Sequence, residues 1–263
     1  MSAAVLESEE FSYLLSVVHA VSVAGIDDWA LFPSDQESRE ATYTKGLQLM
    51  KEHGWIKPAE KPSQFHFNDM LYLMEAVVAN PEFVVFTVRS TESFGRQVIM
   101  HYMAGPDIVE LVAAADGKFH LGIVPDRATL FERIKSSLGL QLDQQNLRIQ
   151  FFTEEMTIEK ITDLAVQGQR EQAAEILESL GLGGLSVDSL LDALSAVLTS
   201  ELKVLKTRKG RVTVGRRAGL FRGKDITWLI RRLDADSATL SVETIQADTL
   251  PMMLDSFLQY LSQ

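Results

Sequence analysis

The second half of the sequence repeats the order of the first half, and this repeat limits the folds that the chain can adopt. When residues 70–139 are compared with residues 190–259, 13 of the 70 positions are identical, whereas chance gives roughly five at ordinary composition. Both segments run through a helix, strands with a Gly-Arg pair, an Ala-Asp turn, a strand and a final helix. The sequence therefore predicts two related halves, 1–140 and 141–263, intertwined in one domain.

Apolar spacing gives the elements of each half. A 3.6-residue period predicts helices at 8–23, up to about 53, at 69–80, after Pro125, at about 157–180 and 187–199, and at the C-terminus. Strand-like runs occur at 83–89, 97–102, 108–113 and 119–124, then at 203–208, 211–214, 226–233 and 239–245. Residues 141–152 are expected to form a connector. Ser34 and Ser186 are predicted to cap helices, and Gly54 to end one.

Sheets with helices on one side must cover their other face or join another sheet. The repeat therefore predicts an α+β fold in which a central antiparallel sheet has pseudo-twofold symmetry and peripheral helices. The absence of cysteine excludes disulfides, thiol nucleophiles and Cys-based metal sites. No run of about 18 apolar residues is present, so no membrane span is predicted. The acidic N-terminus is unlike a signal peptide, and the expected location is the cytoplasm.

Residues with catalytic or cofactor-binding patterns are scarce. Residues 219–225 look like a P-loop only superficially, because the spacing is one residue short and Asp225 replaces the magnesium-binding Ser or Thr. His101 and His120 could approach each other across neighbouring strands, which would be the place to look for acid–base or metal chemistry. Half-exposed strand positions explain them better. The sequence therefore predicts a protein that is not an enzyme and uses no cofactor or metal.

The charge distribution is asymmetric. The chain carries a net charge of −11, but residues 203–232 hold eleven basic residues and a single acid, Asp225. This basic segment could bind an acidic partner or nucleic acid, or it could offset acidic helices of the same chain. The overall negative charge argues against a general nucleic-acid-binding protein. A nucleic-acid or anionic-ligand binder that uses 203–232 is kept as the alternative function.

Four residues are candidates for contact with a protein partner. Leu220 and Phe221 lie between Gly219 and Arg222-Gly223. At a loop tip they would form an exposed apolar pair beside the charge of Arg222, whereas in a strand they would belong to the core. The matching loop of the first half, 91–95, carries one aromatic residue, Phe94. Phe94, Leu220, Phe221 and Arg222 are therefore the predicted contact residues.

Several local patterns resemble the EspG family, the cytosolic chaperones of type VII (ESX) secretion. Residues 10–15 look like the opening helix of the family, and His53-Gly54-Trp55-Ile56 resembles its helix end with a Gly-apolar turn. Residues 71–83 resemble its helix that leads through a proline into the first strand. Residues 112–125 resemble its strand, Asp-Gly turn, strand and proline, and 223–242 resembles the second-half hairpin. The resemblance covers most of the chain except about 141–185.

As a distant member of this family, the chain is expected to have a pseudo-twofold α+β fold and no catalytic activity. The resemblance implies that it binds an apolar helical segment of a secreted protein or a PE–PPE-like heterodimer and shields it in the cytosol. In the family, a loop between central strands and the C-terminal helical bundle contact the client. No family motif assigns contacting residues in this sequence.

Overall fold

A computed structural model describes residues 3–26, 31–58, 65–91, 95–139, 148–196, 199–208, 211–223, 226–234, 237–246 and 249–262. Eight helices lie in these residues: α1 Ser8–Val17, α2 Gln36–Glu52, α3 Asp69–Ala79, α4 Arg127–Ser137, α5 Glu155–Val166, α6 Arg170–Ser179, α7 Leu185–Ser195 and α8 Thr249–Ser262. The strands of the first half are β1 Ala3–Leu6, β2 Ile56–Pro58, β3 Phe65–Phe67, β4 Phe83–Thr91, β5 Gly95–Ala104, β6 Asp107–Ala113 and β7 Phe119–Val124. Those of the second half are β8 Gln150–Glu154, β9 Thr199–Arg208, β10 Arg211–Arg222, β11 Thr227–Arg232 and β12 Thr239–Thr244.

Ten of the strands form one antiparallel sheet, in the order β1-β7-β6-β5-β4-β9-β10-β11-β12-β8. Consecutive strands are neighbours within β4–β7 and within β9–β12, as in two meanders. The strand that begins each half pairs with the last strand of its own meander, β1 with β7 and β8 with β12. β2 and β3 form a separate two-stranded ribbon. The predicted α+β class and the central antiparallel sheet are confirmed.

Contacts within the chain divide it into two compact units. Unit 1 comprises Met1–Val85, Ile99–Leu130 and Leu205–Gly215, and unit 2 comprises Phe86–Val98, Phe131–Val204 and Arg216–Gln263. Each unit contains residues from both predicted halves. The boundary between 1–140 and 141–263 stays a prediction.

In unit 1, α1 packs against α2 and α3, and α3 lies on β6 and β7. Asn68 caps α3 by accepting hydrogen bonds from the backbone N–H groups of Met70 and Leu71. The ring of Phe11 on α1 stacks on that of Phe119 on β7, with centroids 4.5 Å apart. The Tyr102 hydroxyl of β5 donates to the Ala24 carbonyl at 2.7 Å. Apolar faces with a helical or alternating period therefore meet in one core, as expected from the sequence.

In unit 2, α5, α6 and α7 pack on one face of β11 and β12. Their shared core contains one large aromatic side chain and a set of aliphatic ones: Trp228, Ile158, Ile161, Leu177, Val187, Leu190, Leu191, Leu194, Ile230, Leu240 and Val242. The indole N–H of Trp228 donates to the Ser189 hydroxyl at 3.2 Å, so this buried polar group is satisfied. The core fixes the helices against the sheet.

Several predicted boundaries were wrong for local reasons. α1 ends at Val17 rather than near 23, and His19 adopts a left-handed φ of 55° just beyond it. The predicted helix 157–180 is two helices, since Gly168 has a φ of 77° between them. Asp35, not Ser34, caps α2 by accepting from the Ser38 N–H at 2.7 Å. α7 begins at Leu185 after Gly184, so Ser186 lies inside the helix.

The sequence also missed both edge strands. β1 has four residues, and β8 occupies part of the predicted connector 141–152. The central runs at 83–89, 97–102, 108–113 and 119–124 and their second-half counterparts are confirmed as strands. Gly54 has a φ of 73° directly after α2, as predicted for a residue that ends a helix.

Candidate partner-binding groove

The four predicted contact residues do not share one environment in the structure. Leu220 lies in β10 and is 2% exposed, so its side chain belongs to the core. Phe221 follows in the same strand, is half-buried and packs against the unit 2 core. Arg222 is exposed at the end of β10. Phe94 lies outside the described residues. Of the two alternatives for Leu220 and Phe221, the strand is the correct one, and their part in partner contact stays a prediction.

Phe221 lines a groove of about 350 Å³ in unit 2. The apolar lining comes from neighbouring strands and from the first turns of α5: Phe221, Ile230, Leu240 and Ile158. Gly219 also lines it, and a Cβ added there would lie 2.7 Å from the Phe221 ring. The missing side chain at Gly219 therefore lets the ring lie along the strand and form one wall of the groove.

The groove carries charges of both signs around this apolar lining. Arg232 donates a hydrogen bond to Glu155, and its contact lowers the pKa of the Glu155 carboxyl below its usual value, to which the nearby Arg217 charge adds. Glu159 and Glu201 supply further carboxylates, and Lys203 Nζ lies 3.1 Å from Glu201 Oε2. An apolar lining with a charged rim is the arrangement found at protein–protein contact sites.

An exposed apolar side chain lies beside the groove. Met156, on the first turn of α5, is 76% exposed. Phe152, on the edge strand β8, is 55% exposed, but it pairs with Ser241 and therefore lies on the opposite face of the sheet from Leu240. Sequence reasoning missed Met156 and Ile158 because the pattern places them on an amphipathic helix without showing which neighbour covers each face.

A second groove, of about 470 Å³, lies where β8, β11 and β12 meet α8. Met252 and Met253 line it from α8, and Arg231 and Glu243 from neighbouring strands. Arg231 Nε donates to Glu243 Oε1 at 3.1 Å, so the two charges compensate each other. The lining is predominantly polar side chains apart from the methionines and Ile149. This surface lacks the aromatic wall that Phe221 gives the first groove.

Part of the basic segment 203–232 is paired within the chain. Arg231 and Arg232 contact Glu243 and Glu155. Arg216 is buried, lies 3.8 Å over the Tyr260 ring and donates to the Leu233 carbonyl at 3.1 Å. These residues offset acidic and carbonyl groups of the same unit. They are not available as a continuous surface for nucleic acid.

His101 and His120 do not form a pair. His101 is fully buried on β5, with its Nε2 2.9 Å from Glu110 Oε2 on β6. His120 is exposed on β7, and β6 lies between the two strands. Among the described residues, no group of three or more His, Asp or Glu side chains is placed to hold a metal ion. In the same part of the chain, no helix is long and apolar enough to cross a membrane.

No protein-family model and no curated protein matches this sequence. The fold is nevertheless that of a solved type VII secretion chaperone. That structure is EspG5 of Mycobacterium tuberculosis in complex with the PE25–PPE41 dimer. The two structures superpose with a TM-score of 0.70 over 98% of this chain and 96% of the EspG5 chain, at 14% sequence identity. The resemblance to the EspG family is therefore confirmed at the level of the fold.

Proposed function

We propose that the protein is a non-enzymatic, cytosolic chaperone of the EspG kind. Its client is an apolar helical segment of a secreted protein or of a PE–PPE-like heterodimer. The observation that carries the proposal is the match to EspG5 along almost the whole of both chains. The role needs no cofactor, because the client is held by apolar contact and released intact.

The Phe221 groove is the proposed client site. Helical clients present apolar residues at i, i+3 and i+4, and such a stripe needs an apolar lining with flanking polar groups. Phe221, Ile230 and Ile158 offer the lining, and Met156 extends it onto exposed surface. Burying aromatic and long aliphatic side chains stabilises a complex by about 25 cal/mol per Å² before the costs of association are subtracted. Phe94 is retained as a second contact on the first-half loop.

Arg222 and Arg217 are proposed to orient the client. Both are exposed on β10, and Arg217 lies at the rim of the groove. Charges at the rim of an interface affect association rates and register more than affinity. Arginine at this position therefore fits a client helix that presents acidic side chains. It also fits one that presents its C-terminus, which is the negative end of the helix dipole.

A pull-down with a helical secretion pair encoded in the same genome tests the proposal. Met156→Asp and Phe221→Asp are expected to reduce client recovery by about tenfold or more, because a carboxylate would be buried against apolar surface. Val21→Asp is the control, since Val21 is 67% exposed in unit 1. Because Phe221→Asp could disturb the core, each variant is checked by thermal unfolding. Unchanged recovery with folded Met156→Asp and Phe221→Asp would contradict the assigned site.

We infer further that the fold arose by duplication of one helix–meander–helix unit. The support lies in the spacing of equivalent elements. β6 begins at Asp107 and β11 at Thr227, 120 residues later, and β7 and β12 have the same separation at Phe119 and Thr239. In both halves the initial strand pairs with the last strand of its own meander. A sequence profile built from each half separately should detect the other half, and failure in both directions would contradict the inference.

A further inference from the structure

The hairpin formed by β9 and β10 extends beyond the neighbouring strand. β11 pairs with β10 only from Ala218 to Arg222. Residues 211–215, at the start of β10, lie beyond the end of β11 and are all exposed. Within the described residues they are paired on their β9 side only. An unpaired strand edge presents free N–H and C=O groups that can accept another strand.

Cationic side chains cluster on this part of the hairpin. Arg208 ends β9 and Arg211 begins β10, with residues 209 and 210 between them. A connection of this length places Arg208 opposite Arg211 and Lys206 opposite Thr213. The Thr213 hydroxyl donates to the Lys206 carbonyl at 3.1 Å, in agreement with this register. Alternation along strands then places Lys206, Arg208 and Arg211 on one face.

None of these three cations has an ion-pair partner among the described residues, in contrast to Arg231 and Arg232. Like charges directly opposite each other destabilise a hairpin. The hairpin keeps the destabilising pair Arg208 and Arg211 although the chain as a whole has an excess of acidic residues. On the other face of β10, Val212 and Val214 are 49% and 38% exposed. The hairpin therefore combines a free edge, unpaired positive charge and exposed β-branched side chains.

We propose that residues 211–215 bind an extended acidic segment of a protein partner by strand addition. The backbone of the segment pairs with the free edge of β10. Its carboxylates meet Lys206, Arg208 and Arg211, and its apolar residues cover Val212 and Val214. This site is separate from the Phe221 groove and does not depend on the proposed function.

The chemistry of the hairpin favours a peptide over a nucleic acid. A strand edge offers carbonyl acceptors as well as N–H donors, and a phosphate backbone can use only the donors. The exposed valines gain from apolar contact, which phosphates and sugars supply poorly. Nucleic-acid binding also relies on many neutralised phosphates, whereas this surface has three cations on a chain with a net charge of −11.

The test measures fluorescence anisotropy of a labelled peptide of alternating Glu and Val residues at low ionic strength. The proposal predicts binding to the full chain. Arg208→Glu combined with Arg211→Glu should reduce the affinity by about tenfold or more, because both carboxylate contacts become repulsive. Lys57→Glu combined with Lys160→Glu changes the net charge equally at exposed positions elsewhere and should leave the affinity within about twofold.

Two further probes separate strand addition from attraction between charges. The same peptide is N-methylated at every Val or at every Glu, and one of the two forms should lose binding because it cannot donate along the bound edge. The single variant Arg208→Glu should raise or maintain the melting temperature of the free protein while weakening peptide binding, since it replaces a cross-strand repulsion with an attraction. No peptide binding, equal binding of both methylated forms, a lower melting temperature for Arg208→Glu, or tighter binding of an oligothymidylate would overturn the proposal.

Discussion

At the scale of single residues, Glu75 is the most unusual group in the described chain. It lies on α3 with its side chain fully buried, and neither carboxyl oxygen has a hydrogen-bond partner in the described residues. Burial raises the pKa of Glu75 well above its usual value of 4.5. Burial likewise raises the pKa of the Tyr102 hydroxyl. Glu75 is therefore carried in the fold as a neutral acid, because an unpaired carboxylate in this environment is too costly.

This assignment predicts how stability varies with pH. Above about pH 5 the unfolded chain loses the Glu75 proton while the folded chain keeps it, so the folded state binds more protons. The free energy of unfolding should then fall with rising pH by up to about 1.4 kcal/mol per unit from this group. In Glu75→Gln the contribution disappears, and the dependence on pH above 5 should be flatter.

The measurement is urea unfolding of both proteins across pH values from about 5 to 8. Glu171→Gln, at an exposed position on α6, is the control for loss of a carboxylate. Identical pH dependence of the wild-type protein and Glu75→Gln would contradict the account, because Glu75 would then have the same proton occupancy in the folded and unfolded states.

At the scale of elements, the crossing of α1 and α2 depends on a single glycine. Gly46 is buried in α2, and a Cβ added there would lie 2.1 Å from the Glu9 carbonyl oxygen of α1. It would also lie 2.8 Å from the Tyr13 Cβ. Backbone and Cβ atoms cannot rotate away, so the two helices would have to separate. Glycine has a weak helix propensity. It is needed at this position because a side chain would prevent the close approach of the two helices.

Gly46→Ala should therefore lower the free energy of unfolding by about 1–3 kcal/mol, as overpacking does in tightly packed cores. Propensity alone predicts the opposite sign, a gain of roughly 1 kcal/mol from Gly to Ala. The exposed position Ala41 in the same helix provides the comparison, since Ala41→Gly measures propensity without the contact. Chemical denaturation of both variants decides between the two effects. A stabilised Gly46→Ala would show that the helices are not in close contact.

Elements with a strong local period could be predicted, and elements defined by distant partners could not. The helix predicted at 69–80 is α3, and the apolar residues that give its helical period, Leu71, Met74, Val77 and Val78, are all buried. β8 was missed because Phe151 and Phe152 are both apolar, so no alternation shows which faces the core. The strand is defined by its pairing with Val242 and Ser241, far along the chain. Ser186 and Ser34 failed as caps because neighbouring residues, Gly184 and Asp35, hold these positions.

At the scale of the whole molecule, the α+β class and the central antiparallel sheet were predicted from two runs of strand patterns. Each run is preceded and followed by a helical pattern in the sequence. The candidate site could be predicted only in part. Phe221 was chosen because an apolar pair lies between glycines and charge, but sequence alone could not tell that Leu220 turns into the core while Phe221 lines a groove. The other lining residues come from α5, β9, β11 and β12 as well as from β10 itself, and only the fold brings them together.

The paired charges explain why the basic segment is not a continuous binding surface. Arg216, Arg231 and Arg232 are paired inside unit 2, whereas Lys206, Arg208 and Arg211 on the β9–β10 hairpin have no ion-pair partner among the described residues. The sequence shows how many charges the segment carries, but it does not show which groups they pair with. A function based on segment 203–232 as a whole is therefore less well supported than one based on the groove and one based on the hairpin edge.

The most direct test of the central claim is amide hydrogen exchange of the chain, alone and with a helical secretion pair from the same genome. We expect slower exchange of the main chain at Glu155–Glu159, the first turns of α5, in the complex, and in the peptide that contains Phe94. Protection at Glu155–Glu159 reports contact at the Phe221 groove, because the first turns of a helix exchange readily without a ligand. Formation of a complex with no change in exchange at Glu155–Glu159 would contradict the claim that the client occupies this groove.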